Sequence, residues 1–336
     1  MFLLTAAVCF VGCQGQQKTE VAKHDGALLL SVDFKPNVPL KYRFVCERHA
    51  SVDLDPSNKY SNKRPNASPD KGKTQNTTEK LEMEIVYKPV AVDPYGYSTI
   101  EATCISAKAT RISGSAGHGR ADAVQYLEGK SFTFKITPTG KVTDYSSLAN
   151  LVKELGEKAF GGASDSKKGR VKNPDMIMDF LATQWNMWGS VANIKNPVDG
   201  VKPGDKWQSQ LLAPMPFVSK IGRDVESDYA GIVKSDKVSC AEIKSTYSLS
   251  ASPPGEVPMP YGGSFQMRGM FGFLRGYRVI SIEGSGVQLY DINRGLIKSD
   301  TQHYKARVSA SIFGIGNGTL EPNIEIDQTM TMTLVE

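Results

Sequence analysis

The sequence predicts a mainly β (α+β) protein: a large curved antiparallel sheet or half-barrel with two central helices packed on it. Three observations carry that expectation. Apolar and polar residues alternate strictly in long runs, as in Leu81, Met83, Ile85 and Tyr87 against Glu82, Glu84 and Lys88. The same holds for Tyr304, Ala306, Val308, Ala310 and Ile312 against Lys305, Arg307, Ser309 and Ser311. A period of two with one dry and one wet face belongs to antiparallel strands rather than to parallel strands buried on both sides. The 31 glycines and 18 prolines supply many turns and argue against a helical bundle. A helical period, the third observation, is confined to two stretches in the middle of the chain.

The first residues read as an address. Met1 to Gly12 form an apolar run that stops at Cys13 and gives way to Gln14, Gln16, Gln17 and Lys18. A spanning helix needs roughly 20 residues, so the run is too short to cross a bilayer and has the length of a signal-peptide core. Phe10-Val11-Gly12-Cys13 resembles the lipobox of bacterial lipoproteins at Val11, Gly12 and Cys13. It departs from that pattern at Phe10, where the family has Leu, and no basic segment precedes the run. The resemblance implies a signal peptide over residues 1–12, with a start upstream of Met1. It also implies lipidation of Cys13, a lipid-anchored linker over 13–26, and a place in the cell envelope facing the periplasm or the exterior.

Residues 27–195 read as a β-rich first half. Leu40, Tyr42, Phe44 and Cys46 alternate, as do Ile100, Ala102 and Cys104, and Phe132, Phe134 and Ile136. Ser146 or Ser147 caps a helix near 146–160, whose Leu148, Leu151, Val152, Leu155 and Ala159 make one apolar stripe before Gly161-Gly162. A second helix, near 174–190, has Asn173 as its cap, Pro174 at its first position, and Ile177, Phe180, Leu181, Trp185 and Trp188 on one face. Asp53 to Thr78 and Gly161 to Lys172 are polar and read as loops. Asn196 to Gly200 is a turn-rich linker into a second β-rich half, 196–336. There Ile324, Ile326, Met330, Met332 and Leu334 alternate with polar residues, broken on the apolar side only by Gln328. Thr137-Pro138-Thr139-Gly140 and Asn293-Arg294-Gly295 sit between alternating runs and read as hairpin turns with glycine at positive φ.

Val201-Lys202-Pro203-Gly204-Asp205-Lys206-Trp207, with Ser131 to Phe134 and Gly140-Lys141-Val142, resembles an uncharacterised family of exported bacterial proteins of unknown function. The resemblance covers most of residues 27–336 and implies a β-rich exported body with no assigned activity. The residues themselves read as structural: Gly204 for a turn, Asp205 to bond its own backbone, and Trp207 to anchor the entering strand.

Composition limits the function. A chain of 336 residues makes about two domains or one large β-rich one. Its 40% hydrophobic and 22% charged residues exclude a polytopic membrane protein and a wholly disordered chain. Forty Lys and Arg against 35 Asp and Glu leave +5, spread along the chain, so no nucleic-acid partner is implied. Beyond Cys13 only Cys46, Cys104 and Cys240 remain. Three cysteines cannot all pair, which leaves either buried free thiols or one disulfide and one thiol. No zinc spacing, phosphate loop, dinucleotide fingerprint, GxSxG or HExxH is present, so no catalytic residue, metal or cofactor is assigned. Of His24, His49, His118 and His303, the glycine-flanked His118 is the one loop candidate for an acid or base.

The segment least explained as scaffold runs from Met259 to Tyr277. Its Met267, Met270, Phe271 and Phe273 are interleaved with glycines and with Arg268 and Arg275. Flexible sulfur and aromatic surface suits an apolar ligand and the arginines suit an anionic head group, while a twisted core strand is the plainer reading. The expectation is a non-enzymatic envelope protein that binds an apolar or amphipathic ligand, or a protein partner. It is held at the membrane through lipidated Cys13. A structural or adhesive surface protein and a periplasmic hydrolase without a recognisable motif are the alternatives.

Overall fold

The computed structural model describes residues 27–57, 74–113, 123–138, 140–160, 171–172, 199–213, 221–252, 265–266, 275–313 and 319–335. The alternating runs become strands. In the first half these are β1 (Leu40–Asp53), β2 (Thr74–Val92), β3 (Ser98–Ser113), β4 (Ser131–Ile136) and β5 (Val142–Asp144), followed by the helix α1 (Ser146–Phe160) and the short β6 (Val171–Lys172). The second half holds β7 (Lys206–Leu212), β8 (Gly222–Ser235), β9 (Val238–Leu249), β10 (Phe265–Gln266), β11 (Arg275–Asp291), β12 (Leu296–Phe313), β13 (Thr319–Leu320) and β14 (Asn323–Leu334). A 3-10 turn, Ala123–Leu127, precedes β4.

Eleven strands form one curved sheet in the order β5-β4-β3-β2-β1-β14-β12-β11-β9-β8-β7, with β13 beside β12. Every pairing in it is antiparallel. Strands β1 to β5 make one wing, β12 to β7 the other, and β14 alone joins them. The main strands reach 19 residues in β2 and 18 in β12, so the wall is about 60 Å tall at its highest. Their alternation buries one face, as in Tyr42, Phe44 and Cys46 of β1, Met83, Ile85 and Tyr87 of β2, and Ile326, Met330 and Met332 of β14. Opposite side chains such as Lys41 and Glu84, 2.7 Å apart, meet on the wet face.

One of the two expected central helices is present among the described residues. Helix α1 packs on β4 and on the 3-10 turn at one edge of the sheet, burying Leu148, Leu151 and Leu155. The helix expected near 174–190 lies outside the described residues. Two loop expectations need correcting at their ends. Thr74 to Thr78 extend β2 because they pair with β1 from Asp53 to His49, and Val171–Lys172 pair in parallel with Phe265–Gln266. Cross-strand hydrogen bonding outweighs the polar composition at both places. Both hairpin glycines adopt left-handed φ, +88° at Gly140 and +66° at Gly295.

Residues 27–39 cross the sheet instead of joining it. Leu28 and Val201 exchange both backbone hydrogen bonds at 2.8 Å. Val32 then donates to Pro138 O at 3.0 Å, Asp33 to Gly295 O at 3.0 Å and Asn37 to Pro89 O at 2.8 Å. Leu30, Val32 and Phe34 are buried along the way. Val201 leads into the edge strand β7, whereas Pro138 sits in the β4–β5 turn at the opposite edge. Laid flat, ten strand spacings would separate those edges by nearly 50 Å. Four residue steps from Leu28 to Val32 can span only about 14 Å. The sheet is therefore rolled until its edges approach at this end, and the strap bridges the remaining gap. Gly295 permits the approach, since a Cβ there would lie 2.6 Å from that of Asp33.

Candidate functional site

Rolling the sheet turns its dry face into an inner wall. Near the strap that wall is aromatic: Tyr42 meets Tyr87 edge-on at 5.8 Å, Tyr87 meets Phe134 at 6.1 Å, and Phe132 stacks on Phe134. Midway along the strands the apolar parity breaks. Arg111, Glu79, Arg48, Gln328, Tyr304, Gly284 and Tyr247 are successive cross-strand partners from β3 through β9, forming one belt across the wall.

Two arginine clusters occupy this belt. Arg48, only 2% exposed, donates Nη1 to Glu79 Oε2 at 2.7 Å and Nε to Gln328 Oε1 at 2.8 Å. Arg111 bonds the second oxygen of Glu79. Burial pushes the Glu79 carboxyl up, but the two guanidiniums outweigh it and hold the group below the usual carboxylate range. On the other wing Arg223 lies over the rings of Tyr247 and Tyr304, 4.5 and 5.0 Å from their centroids, and those rings stack at 4.9 Å. Its Nη1 donates to Gln302 Oε1 at 3.1 Å, which also accepts from the Tyr304 hydroxyl. Gln302 Nε2 in turn donates to Asp300 at 2.8 Å, and Gln288 donates to the same oxygen. Gly284 and Gly286 of β11 make room for the Tyr247 ring, which a Cβ at either position would strike.

Asp300 carries a pH dependence. Burial raises its pKa to about 6, against the lowering effect of Gln302, Arg223 and Gln288. Because the folded value exceeds the unfolded value near 4, its contribution is complete below about pH 4 and is lost as pH rises through 6. Glu79 works with the opposite sign, so its contribution is present above the unfolded pKa and fades as pH falls. Asp300→Asn removes only the first effect. Urea unfolding at about pH 4.5, 5.5 and 7 is expected to show the difference between variant and wild type moving in the variant's favour by about 2–3 kcal/mol. A difference that does not change with pH would contradict the assignment.

The wet face holds a concavity of about 510 Å³ lined by His49, Thr78, Glu283, Lys305, Arg307, Glu325 and Asp327, among others. Here His303 Nε2 lies 2.8 Å from Asp327 Oδ1, and His49 bonds Thr78 at 3.1 Å. His49, Asp327, Lys305 and Glu283 follow one another across four strands. These are cross-strand pairs of a solvated face, and half-exposed pairs of this kind contribute little to stability. Cys46, Cys104 and Cys240 are buried and in no disulfide, and burial pushes the Cys104 thiol up to about 12, leaving it protonated. Among the described residues no group of three or more His, Cys, Asp and Glu is placed to hold a metal ion, and no helix is long and apolar enough to cross a membrane.

Of the residues singled out in the sequence, Cys13, His118, Met267, Arg268, Met270, Phe271 and Phe273 lie outside the described residues. Arg275 opens β11 opposite Ser311. The Gly204–Trp207 reading is met: Gly204 has φ +91°, Asp205 accepts from Lys202 N at 2.7 Å, and Trp207 is buried. Sequence reasoning missed Arg48, Glu79, Arg223, Asp300, Gln302 and Gln288. A signal for each was present, since each has a polar side chain at the inward parity of its strand.

No family model matches the chain, and no curated protein matches it. Among solved structures it is similar to a chain described under lipid-protein interactions in lipovitellin, with 10% identity and a TM-score of 0.45 over 90% of this chain. The match covers 26% of that chain, so this protein spans about a quarter of its length. It is also matched to an outer membrane channel from Pseudomonas putida F1, with 8% identity and a TM-score of 0.15, over 93% of this chain and 100% of that one. At scores this low neither likeness carries an argument about function.

Proposed function

We propose that the chain is an exported, lipid-anchored protein of the bacterial cell envelope that binds an amphipathic ligand along the inner wall of its rolled sheet and catalyses no reaction. The observation that carries this reading is the inner face of the sheet, where buried apolar side chains run from β4 to β7 and are interrupted by one arginine-bearing belt. Apolar wall suits the body of such a ligand, and a few convergent polar groups suit its head. The belt holds Arg48, Arg111 and Arg223 against Glu79 and Asp300, so it favours a neutral or anionic head group. Met267, Met270, Phe271 and Phe273 add apolar contacts and Arg268 and Arg275 add charge in the same reading. The apolar run before Cys13 supports export and lipidation, which bring the body to a membrane surface.

The full chain bearing Cys13→Ser, purified without detergent, tests the binding by native mass spectrometry. A discrete adduct of lipid mass is expected, lost when Phe271 and Phe273 are both changed to Ser in a chain that still folds. A bare chain mass that stays bare after incubation with oleate would overturn the reading. Export is tested separately by the mass of the mature N-terminus, which is expected to be an acylated Cys13.

A further inference from the structure

We infer that the concavity on the wet face binds a small zwitterion whose ammonium and oxyanion stand about 5 Å apart, the spacing of neighbouring strands. The site lies on the outer face of the sheet and does not depend on the ligand proposed for the inner wall. Its shape follows from an irregularity in β11. Val279 and Ser281 stand opposite Val308 and Arg307, so Ile280 is an extra residue in the ladder between β11 and β12. A bulge of this kind bends its strand, increases the local twist and re-aims the side chains beside it. Ser281 and Glu283, which follow the bulge, line the concavity of about 510 Å³.

The charges in it are opposed but not joined. Arg307 faces Glu325 across β12 and β14, and Lys305 faces Glu283 across β12 and β11. All four side chains are exposed, and among the described residues none of them forms an ion pair or a side-chain hydrogen bond. Elsewhere on the same face such charges close: Lys41 reaches Glu84 at 2.7 Å, Lys80 reaches Glu47 at 3.0 Å and Arg43 reaches Glu82 at 3.2 Å. Asp327, the other carboxylate beside Lys305, is taken by His303 at 2.8 Å. Two free cations on one strand and one free carboxylate on each neighbouring strand sum to zero, so a ligand of net charge would leave one sign uncompensated. A zwitterion answers both signs. Arg307 and Lys305, two residues apart on one face of β12, take its oxyanion, Arg307 through a two-pronged hydrogen bond. Glu325, one strand away, takes its ammonium, and Glu283 balances Lys305 from the β11 side. Ser51 and Asn76 bring neutral hydrogen-bonding groups to the margin formed by β1 and β2.

Isothermal titration calorimetry of the full chain with Cys13→Ser tests the site, with phosphoethanolamine and γ-aminobutyrate as probes. At least one of them is expected to bind roughly tenfold tighter than ethanolamine, acetate or inorganic phosphate, because joining two contacts in one molecule makes the second intramolecular. Arg307→Gln and Glu325→Gln are each expected to weaken that binding by about tenfold, the effect of losing one hydrogen bond to a charged group. The thermal midpoint is expected to stay unchanged in both, since neither side chain is paired in the free protein. Lys41→Gln, which breaks an ion pair on the same face outside the concavity, is expected to leave binding unchanged. Where phosphoethanolamine binds, sedimentation with vesicles of phosphatidylcholine and phosphatidylethanolamine separates its sources. Co-sedimentation abolished by Arg307→Gln assigns a lipid head group, and soluble binding without co-sedimentation assigns a free molecule. Failure of both probes, equal affinity for the single-charge fragments, or an equal loss in Lys41→Gln overturns the inference.

Discussion

Glu79→Gln is expected to cost about 3–5 kcal/mol of folding stability, measured as a lowered urea midpoint with an unchanged slope. Glu79 lies between Arg48 and Arg111 with both oxygens bonded, and it is only 4% exposed. A glutamine can keep one hydrogen bond but not the charge, leaving the Arg48 guanidinium buried without an anion. The cost comes from that stranded charge and not from the worth of the pair, which has already lost its hydration. Changing Arg48 to Met together with Glu79 to Leu is therefore expected to cost much less than Glu79→Gln alone. A double variant as damaged as the single would show that the pair itself, rather than the orphaned arginine, holds the wings' inner wall together.

The second large effect lies on β11. Gly284→Ala and Gly286→Ala are each expected to destabilise by about 1–3 kcal/mol or more through overpacking. Their remedies differ. A Cβ on Gly286 meets the hydroxyl of Tyr247, whereas one on Gly284 meets the backbone oxygen of His303. Tyr247→Phe removes the first obstacle and leaves the second. The pair Gly286→Ala with Tyr247→Phe is therefore expected to be more stable than the sum of its parts, while Gly284→Ala with Tyr247→Phe is additive or worse. Equal coupling in both cycles would mean that the Tyr247 ring does not lie across β11 as described.

The antiparallel sheet was legible because alternation is a local property: each of β1, β2, β4, β12 and β14 announces its own faces. The rolling was not, because it depends on Leu28 meeting Val201 and Val32 meeting Pro138, contacts between residues far apart in the chain. The belt was half-legible. Gln328 stood out as a polar break in an apolar run, and Arg48 continues the inward parity of Tyr42, Phe44 and Cys46, but nothing nearby tells that Glu79 will lie opposite it. Asp53 to Thr78 showed the limit of composition, since Thr74 to Thr78 become strand only by pairing with β1. The Met259 to Tyr277 segment drew attention by its residue types, whereas the described polar site is assembled from single residues on separate strands.

The position of β14 governs when this protein can finish folding. It follows every other described strand in the chain, yet it lies at the centre of the sheet, with Gln328 bonded to Arg48 across 280 residues. Each wing can form from its own hairpins as it emerges. Until Asn323–Leu334 arrives, however, β1 and β12 each present a long unsatisfied edge, the kind of template on which foreign chains pair. A chain threaded through a membrane from its N-terminus would thus wait with both edges open, and a chaperone that shields strand edges would be most useful in that interval. Joining through one late central strand ties completion of the whole fold to delivery of the whole chain.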